Sequence, residues 1–135
     1  MVKIKDILLI FTLVFIDQLT KILSKNKHFF IINYTENTGA AFSLFQDYTL
    51  FLILISILVV FFTLYYFIKI KQPSKKLYIS LILILSGTIG NLIDRISLGF
   101  VRDFIDLKIW PIFNLADLYN VVAFILILIY YFKKR

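Results

Sequence analysis

The sequence predicts an all-α integral membrane protein with four transmembrane helices, a small extracytoplasmic β-sheet between helices 1 and 2, and a short outer segment between helices 3 and 4. Three observations lead to this fold class. Apolar residues make up 61% of the chain and its mean hydropathy is +0.91, whereas soluble domains are roughly half apolar. The apolar residues fall into four runs. Basic residues flank these runs and form no groove-sized patch, so we expect membrane lipids around the chain and no nucleic-acid partner.

The first apolar run follows Lys3 and Lys5 and predicts helix 1 over about residues 7–23. A basic start before a short apolar core is also typical of a cleavable signal peptide, but no small-residue cleavage site follows, which favours a helix. Asp17 and Lys21 lie four residues apart on one helical face, where an acid that precedes a base pairs favourably. We interpret them as a structural ion pair inside the membrane.

The stretch from Lys25 to Tyr48 is polar and aromatic, and the part from Phe29 to Tyr34 has a strand-like composition. Aromatic side chains favour the headgroup region of a bilayer. We therefore expect the small sheet here, on the outer membrane surface.

The other three apolar runs predict helices over about residues 49–68, 77–94 and 116–132. Each run is long enough to span the hydrocarbon layer. A short basic loop that contains Pro73 separates the first two of them. Residues 1–135 are expected to form a single membrane-embedded domain.

The distribution of charge predicts the orientation of the four helices. Nine of the fifteen Lys and Arg residues lie at the N-terminus, between helices 2 and 3, or at the C-terminus. The positive-inside rule makes that side cytoplasmic, with both termini on it. Of the eight carboxylates, all but Asp6 then face outward, so any chemistry that they perform belongs at the outer leaflet.

Four carboxylates lie close together in the stretch from Gly87 to Asp117, between two membrane segments. Charges at the edge of hydrocarbon are costly to retain, so a functional site is the first hypothesis. Spacing and depth leave Asp117 with three possible partners, Asp94, Asp103 and Asp106. Two aspartates in a poorly hydrated site share one proton and divide general acid and base work between them. This pattern predicts aspartic proteolysis, which needs no metal or organic cofactor.

Other functions have less support in the sequence. The absence of cysteine and the single histidine argue against thiolate catalysis and a clustered metal site. Outer-edge aspartates also suit a small proton-coupled membrane carrier, although the internal repeats typical of carriers are not evident. A non-enzymatic membrane scaffold has no need of clustered acids. In a purely structural interpretation, Asp94 pairs with Arg95 and Arg102 pairs with Asp106 at the membrane boundary.

Five short blocks stand out between residues 17 and 117. They are Asp17-Gln18-Leu19-Thr20-Lys21, Asn37-Thr38-Gly39-Ala40-Ala41-Phe42, Gly90-Asn91-Leu92-Ile93-Asp94-Arg95, Val101-Arg102-Asp103-Phe104 and Phe113-Asn114-Leu115-Ala116-Asp117. In this order they resemble the blocks of bacterial lipoprotein signal peptidase, the type II signal peptidase, and the last three match its GNxxDR, VxDF and FNxAD motifs. Any one block is a weak signal, whereas five in the family's order are a strong one.

The resemblance implies a peptidase domain that removes signal peptides from prolipoproteins by cutting on the amino side of a diacylglyceryl-modified cysteine. It implies inhibition by globomycin-type cyclic peptides and a location in the bacterial cytoplasmic membrane. By the same resemblance, Asp103 and Asp117 are the catalytic pair. The residues that would support this pair or bind the substrate are Asn37, Gly39, Asn91, Asp94, Arg95 and Asn114.

The chain departs from the family pattern in two places. Arg102 occupies a position that is more often apolar in the family. Asp103 and Asp117 are fourteen positions apart, which is a shorter connection than is usual there, so we expect the outer loop to cover the site less fully.

Overall fold

The computed structural model describes residues 2–39 and 48–133. Residues 40–42 of the second sequence block lie outside this part of the chain. The described residues form four helices and three strands, a mostly helical architecture with a small sheet, as the composition predicted. The elements are α1 (Ile4–Leu23), β1 (His28–Phe29), β2 (Ile32–Asn37), α2 (Thr49–Lys69), α3 (Lys75–Leu98), β3 (Val101–Ile105) and α4 (Leu115–Lys133).

Within the described ranges, three helices are long and apolar enough to cross a membrane, namely α2, α3 and α4. The helix α1 has a similar length, 20 residues. It differs from a plain apolar span because it carries four charged residues. They are Lys5, Asp6, Asp17 and Lys21.

The central element is α3, which packs against α1, α2 and α4. It begins where the Ser74 hydroxyl accepts a hydrogen bond from the Leu77 backbone N–H, and it ends at Gly99, whose φ of 84° is left-handed. The helix therefore continues beyond residue 94, where the sequence pattern placed its end, and Asp94 and Arg95 lie inside its last two turns. The buried apolar core between α2 and α3 consists of Phe67, Leu77, Leu81, Ile82 and Leu85.

The sheet is antiparallel with strand order β1-β2-β3. The stretch from Phe29 to Tyr34, predicted as strand-like throughout, is interrupted by a turn in which Phe30 has a φ of 49°. The expected outer segment between helices 3 and 4 is also more regular than predicted, because β3 pairs with the free edge of β2. The sheet therefore combines two strands that precede α2 in the sequence with one strand that follows α3.

The pairing of β2 with β3 positions two polar side chains on one face of the sheet. Thr35 lies opposite Asp103, and Asn37 lies opposite Val101. Because alternate residues of a strand point to the same face, Asn37 and Asp103 share the face that contains the buried Val101. Among the helices, β3 packs against α3 and α1.

Candidate active site

Asp103 lies on β3 and is only 2% exposed. Its Oδ1 accepts a hydrogen bond of 2.6 Å from Asn114 Nδ2, and its Oδ2 accepts one of 3.0 Å from Asn37 Nδ2. Burial and the neighbouring Asp117 carboxylate raise the pKa of Asp103 to about 7. A carboxyl group with this pKa exchanges its proton readily near neutral pH, which suits acid and base catalysis.

Asp117 lies in the first turn of α4, where the local sequence fixes its position. The Asn114 Oδ1 accepts from the Asp117 backbone N–H at 3.0 Å, and Asp117 Oδ2 accepts from the Asn114 backbone N–H at 3.2 Å. This reciprocal pattern is a capping box, which explains why the helix begins directly after Asn114. The other oxygen, Asp117 Oδ1, accepts from Asn91 Nδ2 on α3 at 2.8 Å.

One side chain, that of Asn114, joins the two aspartates. It is fully buried. Its Nδ2 donates to Asp103 and also to Asn91 Oδ1 at 3.1 Å, while its Oδ1 and backbone N–H form the capping box with Asp117. The structure therefore brings Asp103 and Asp117 together with Asn37, Asn91 and Asn114, the residues that the family resemblance implied.

A cleft of about 780 Å³ lies beside the two aspartates. Polar residues line the part of it next to Asp103 and Asp117, and apolar residues from the β3–α4 connection and the first turns of α4 line the rest. This combination of a mostly apolar wall with a few convergent polar groups is typical of a ligand site. The apolar lining includes Leu107, Trp110, Ile112, Phe113, Leu118 and Val121.

Arg95 also lines the cleft. Its guanidinium donates to the Gly39 carbonyl oxygen at 3.0 Å, and its buried Nε has no hydrogen-bond partner among the described residues. The Gly39 backbone N–H in turn donates to Asn37 Oδ1 at 2.9 Å. The surface ion pair suggested for Arg95 with Asp94 is therefore wrong, because the Arg95 side chain turns to the end of β2 instead.

Asp94 lies behind the cleft and is fully buried. Arg102 surrounds it with three donors: one terminal guanidinium nitrogen at 2.7 Å, Nε at 3.2 Å and the backbone N–H at 3.0 Å. Gln18 Nε2 donates to it at 3.1 Å, and Lys21 Nζ lies 3.5 Å away. Two cations and an amide thus contact this carboxylate, whereas the side chains that donate to Asp103 within the described residues are neutral amides.

Asp106 lies at the outer end of β3, away from the pair of aspartates. Its Oδ2 is 2.6 Å from the exposed Lys108 Nζ and accepts from Asn33 Nδ2 at 2.7 Å. The hydrogen bond from Lys108 lowers the pKa of Asp106 to about 2. The suggested ion pair of Asp106 with Arg102 is wrong, because Arg102 turns inward to Asp94.

Asp17 and Lys21 form the ion pair that their spacing predicted. Both are fully buried, with Asp17 Oδ2 and Lys21 Nζ 2.8 Å apart. Asp17 Oδ1 also accepts from the Ala116 backbone N–H at 2.9 Å, and so binds the start of α4. The close contact between Asp17 on α1 and the backbone of α3 depends on Gly90, where an added Cβ would lie 2.6 Å from Asp17 Oδ2.

Two residues near the site, Gln18 and Arg102, were not among the predicted site residues. Gln18 Nε2 donates to the Gly90 carbonyl oxygen at 3.0 Å, and its Oε1 accepts from Arg102 at 2.7 Å. Both side chains also donate hydrogen bonds to the Asp94 carboxylate. Two features of the sequence could have indicated these residues. Gln18 lies beside Asp17 in the first block, and Arg102 places a charge at a usually apolar position of the VxDF block.

Comparisons with known proteins place these residues in a family context. A family model described as Signal peptidase (SPase) II matches residues 9–133. A lipoprotein signal peptidase of Caldanaerobacter subterraneus is 44% identical over 133 residues, which cover 90% of this chain and 91% of the relative. Another, of Halothermothrix orenii, is 33% identical over 139 residues and covers 95% of both chains.

The fold is similar to that of solved membrane proteins. A bacterial membrane enzyme determined at 2.3 Å resolution superposes with a TM-score of 0.87 at 31% identity, over 96% of this chain and 88% of that one. A second bacterial membrane enzyme, determined at 1.9 Å resolution, gives a TM-score of 0.84 at 32% identity, over 97% of this chain and 94% of that one.

Proposed function

The chain belongs to the signal peptidase II family, and from this premise we propose that it is an aspartic endopeptidase that removes signal peptides from prolipoproteins. The proposed cut lies on the amino side of a diacylglyceryl-modified cysteine. One observation carries the proposal: Asp103 and Asp117 line the same cleft and are joined through the buried Asn114. The relatives named lipoprotein signal peptidase supply the substrate class.

In the proposed reaction, one aspartate of the pair is ionised and the other is protonated. The carboxylate takes a proton from a water molecule, whose oxygen bonds to the carbonyl carbon of the scissile peptide, while the protonated partner donates to the carbonyl oxygen. The resulting tetrahedral diol collapses when the amide nitrogen accepts a proton from the pair and the carbon–nitrogen bond breaks. One water molecule is consumed. The pKa of about 7 for Asp103 supports this exchange of protons near neutral pH.

We assign the substrate to the cleft. Its apolar wall suits the diacylglyceryl group and the apolar signal peptide, which both lie at the edge of the hydrocarbon layer. Arg95, with a buried Nε that has no partner among the described residues, is suited to hold a substrate carbonyl. Asn37 and Gly39 would form the rim of the cleft at the end of β2. There the Gly39 carbonyl oxygen accepts from Arg95, and Asn37 Oδ1 accepts from the Gly39 backbone N–H.

We also propose that α1 spans the membrane, which gives four transmembrane helices in one peptidase domain of residues 1–135. Asp6, Asp17 and Lys21 are all buried inside the protein, so they do not face lipid. The exposed side of α1 is instead apolar, with Phe11 69% and Phe15 56% exposed. Charges that turn inward and pair with one another remove the main obstacle to insertion.

An even number of spans places both termini on one side, and the basic residues there make it the cytoplasmic side of the bacterial inner membrane. The active site would then lie at the outer leaflet. We expect a C-terminal fusion to alkaline phosphatase, which is active only outside the cytoplasm, to be inactive, and a C-terminal fusion to a green fluorescent protein to fluoresce. As a control, alkaline phosphatase inserted after Lys108 in the outer connection should be active. An active C-terminal phosphatase fusion would contradict this topology.

The direct test of function is cleavage by the purified protein in detergent. We expect it to shorten a diacylglyceryl-modified prolipoprotein, to leave the unmodified precursor intact, and to be blocked by globomycin. If folded protein leaves the modified precursor intact, the proposal fails. Proton uptake into vesicles that contain the protein would then test the proton-coupled carrier.

A further inference from the structure

Lys21 lies behind the two aspartates and contacts more than its ion-pair partners. Its ammonium is 2.8 Å from Asp17 Oδ2 and 3.5 Å from Asp94 Oδ2. It also donates to Asn91 Oδ1 at 2.9 Å, and Asn91 Nδ2 donates to Asp117 Oδ1 at 2.8 Å. A single amide group therefore separates the buried ammonium from one of the two aspartates.

The contact with Lys21 fixes the direction of the Asn91 amide. Asn91 Oδ1 accepts from both Lys21 Nζ and Asn114 Nδ2, which uses both lone pairs of an amide oxygen. An ammonium group can only donate. If the amide were flipped, its N–H groups would face two donors and its oxygen would face the Asp117 carboxylate. Lys21 thus keeps the Asn91 N–H directed at Asp117.

The charge of Lys21 also acts on the pair of aspartates. The other charged groups near the pair are Asp17 on α1 and Arg95 on α3, and Asp94 on α3 contacts Lys21. Asp94 is balanced by Arg102, and Asp17 by Lys21. Without Lys21, the buried Asp17 carboxylate would remain as an additional negative charge near the site, and ionising either member of the pair would become harder.

We propose that Lys21 is a positioning residue of the reaction: it directs the Asn91 amide at Asp117, and its charge keeps one carboxyl of the pair ionised. This inference rests on the proposed function. It assigns Lys21 a role in turnover in addition to its ion pair with Asp17.

The test compares pH profiles of prolipoprotein cleavage, expressed per folded molecule. The acidic limb follows the ionisation of one carboxyl of the pair, so removing a nearby cation moves the limb to higher pH. In Lys21→Met we expect a shift of about one pH unit upward and a fall in the maximal rate of about tenfold or more. In Asp17→Asn, which keeps Lys21 and removes a negative charge, the limb should move to lower pH.

The double variant Lys21→Met/Asp17→Asn separates orientation from charge. Both charges of the buried pair are gone, so folding should be retained and the limb should stay near its parental pH. The maximal rate should remain low, because the Asn91 amide oxygen then keeps only the hydrogen bond from Asn114 and is held less firmly. Asp6→Asn is the control for lost stability alone. Asp6 is a buried acid at the other end of α1, where it accepts a hydrogen bond from the Tyr78 hydroxyl. Its replacement should leave the pH profile unchanged.

Opposite shifts in Lys21→Met and Asp17→Asn cannot arise from general destabilisation. Parental pH limbs and parental rates per folded molecule in the Lys21 and Asp17 variants would overturn the inference. If Lys21→Met does not fold, the double variant and Asp17→Asn decide by the same criteria.

If the parental protein itself does not cleave, the proposed function fails. The positioning role is then judged from the infrared band of the protonated carboxyls, which is assigned by its loss in Asp103→Asn and Asp117→Asn. An unchanged titration midpoint in Asp17→Asn and in Lys21→Met refutes the role.

Discussion

Replacing Asp103 or Asp117 by asparagine is expected to abolish prolipoprotein cleavage, with a loss of about four orders of magnitude or more in rate per folded molecule. Asparagine keeps the shape of the side chain but cannot exchange the proton that alternates between the two groups. Because burial opposes ionisation of Asp103, the neutral amide should leave folding nearly intact. The measurement is the cleavage rate for each variant, normalised by the folded fraction from a thermal melt in detergent.

Two comparisons make this test specific. Since the two aspartates share one step, the double variant should be little worse than either single variant. Asp94→Asn and Asp106→Asn are the controls, because the partners of Asp94 are two cations and an amide and Asp106 lies outside the cleft. Substantial activity in Asp103→Asn with none in Asp94→Asn would instead assign the catalytic role to Asp94 and Asp117.

The helices could be predicted from the sequence because each apolar run carries its own signal. A run such as residues 49–68 needs no information from elsewhere in the chain to be recognised as a helix. The ends were less predictable, as α3 shows. Its apolar pattern stops near Ile93, but the backbone stays helical to Leu98 because Gly99 supplies the left-handed residue that ends it.

The third strand could not be predicted from local composition. Residues 101–105 became a strand because they pair with β2, and the hydrogen bond between Asn37 and Asp103 joins residues 66 positions apart. No pattern within five residues indicates such a partner. The same limit applies to Arg102, which lies four residues from Asp106 but turns to Asp94 because that carboxylate is buried and requires a cation.

The sequence predicted which aspartates belong to the candidate site, but its spacing did not predict which of them pairs with Asp117. Spacing alone left Asp94, Asp103 and Asp106 as equal partners for Asp117, and only the family resemblance singled out Asp103. The structure separates the three by their surroundings. Neutral amides hold Asp103, whereas Arg102 and Lys21 neutralise Asp94, and the exposed Lys108 pairs with Asp106. These differences depend on which hydrogen-bond donors, far away in the sequence, lie next to each carboxylate in the folded chain.

The largest loss of stability is expected when Asp94 is replaced by alanine. Asp94 is fully buried, and its removal leaves the Arg102 guanidinium, which is 11% exposed, without a carboxylate partner. Stranding one charge of a buried pair costs about 3 to 5 kcal/mol. The free energy of unfolding of Asp94→Ala in detergent should fall by this amount, and cleavage should fall through loss of folded protein.

Lys108→Ala is the matched control, since it breaks an ion pair of similar length near the other end of β3. The Lys108 side chain is 64% exposed, so water replaces the lost partner and the melting temperature should hardly change. A second variant, Asp94→Leu/Arg102→Met, removes both charges of the buried pair and should recover much of the stability lost in Asp94→Ala, because no charge is then stranded. If the double variant melts no higher than Asp94→Ala, the loss arises from the packing around Asp94 and not from the unpaired charge of Arg102.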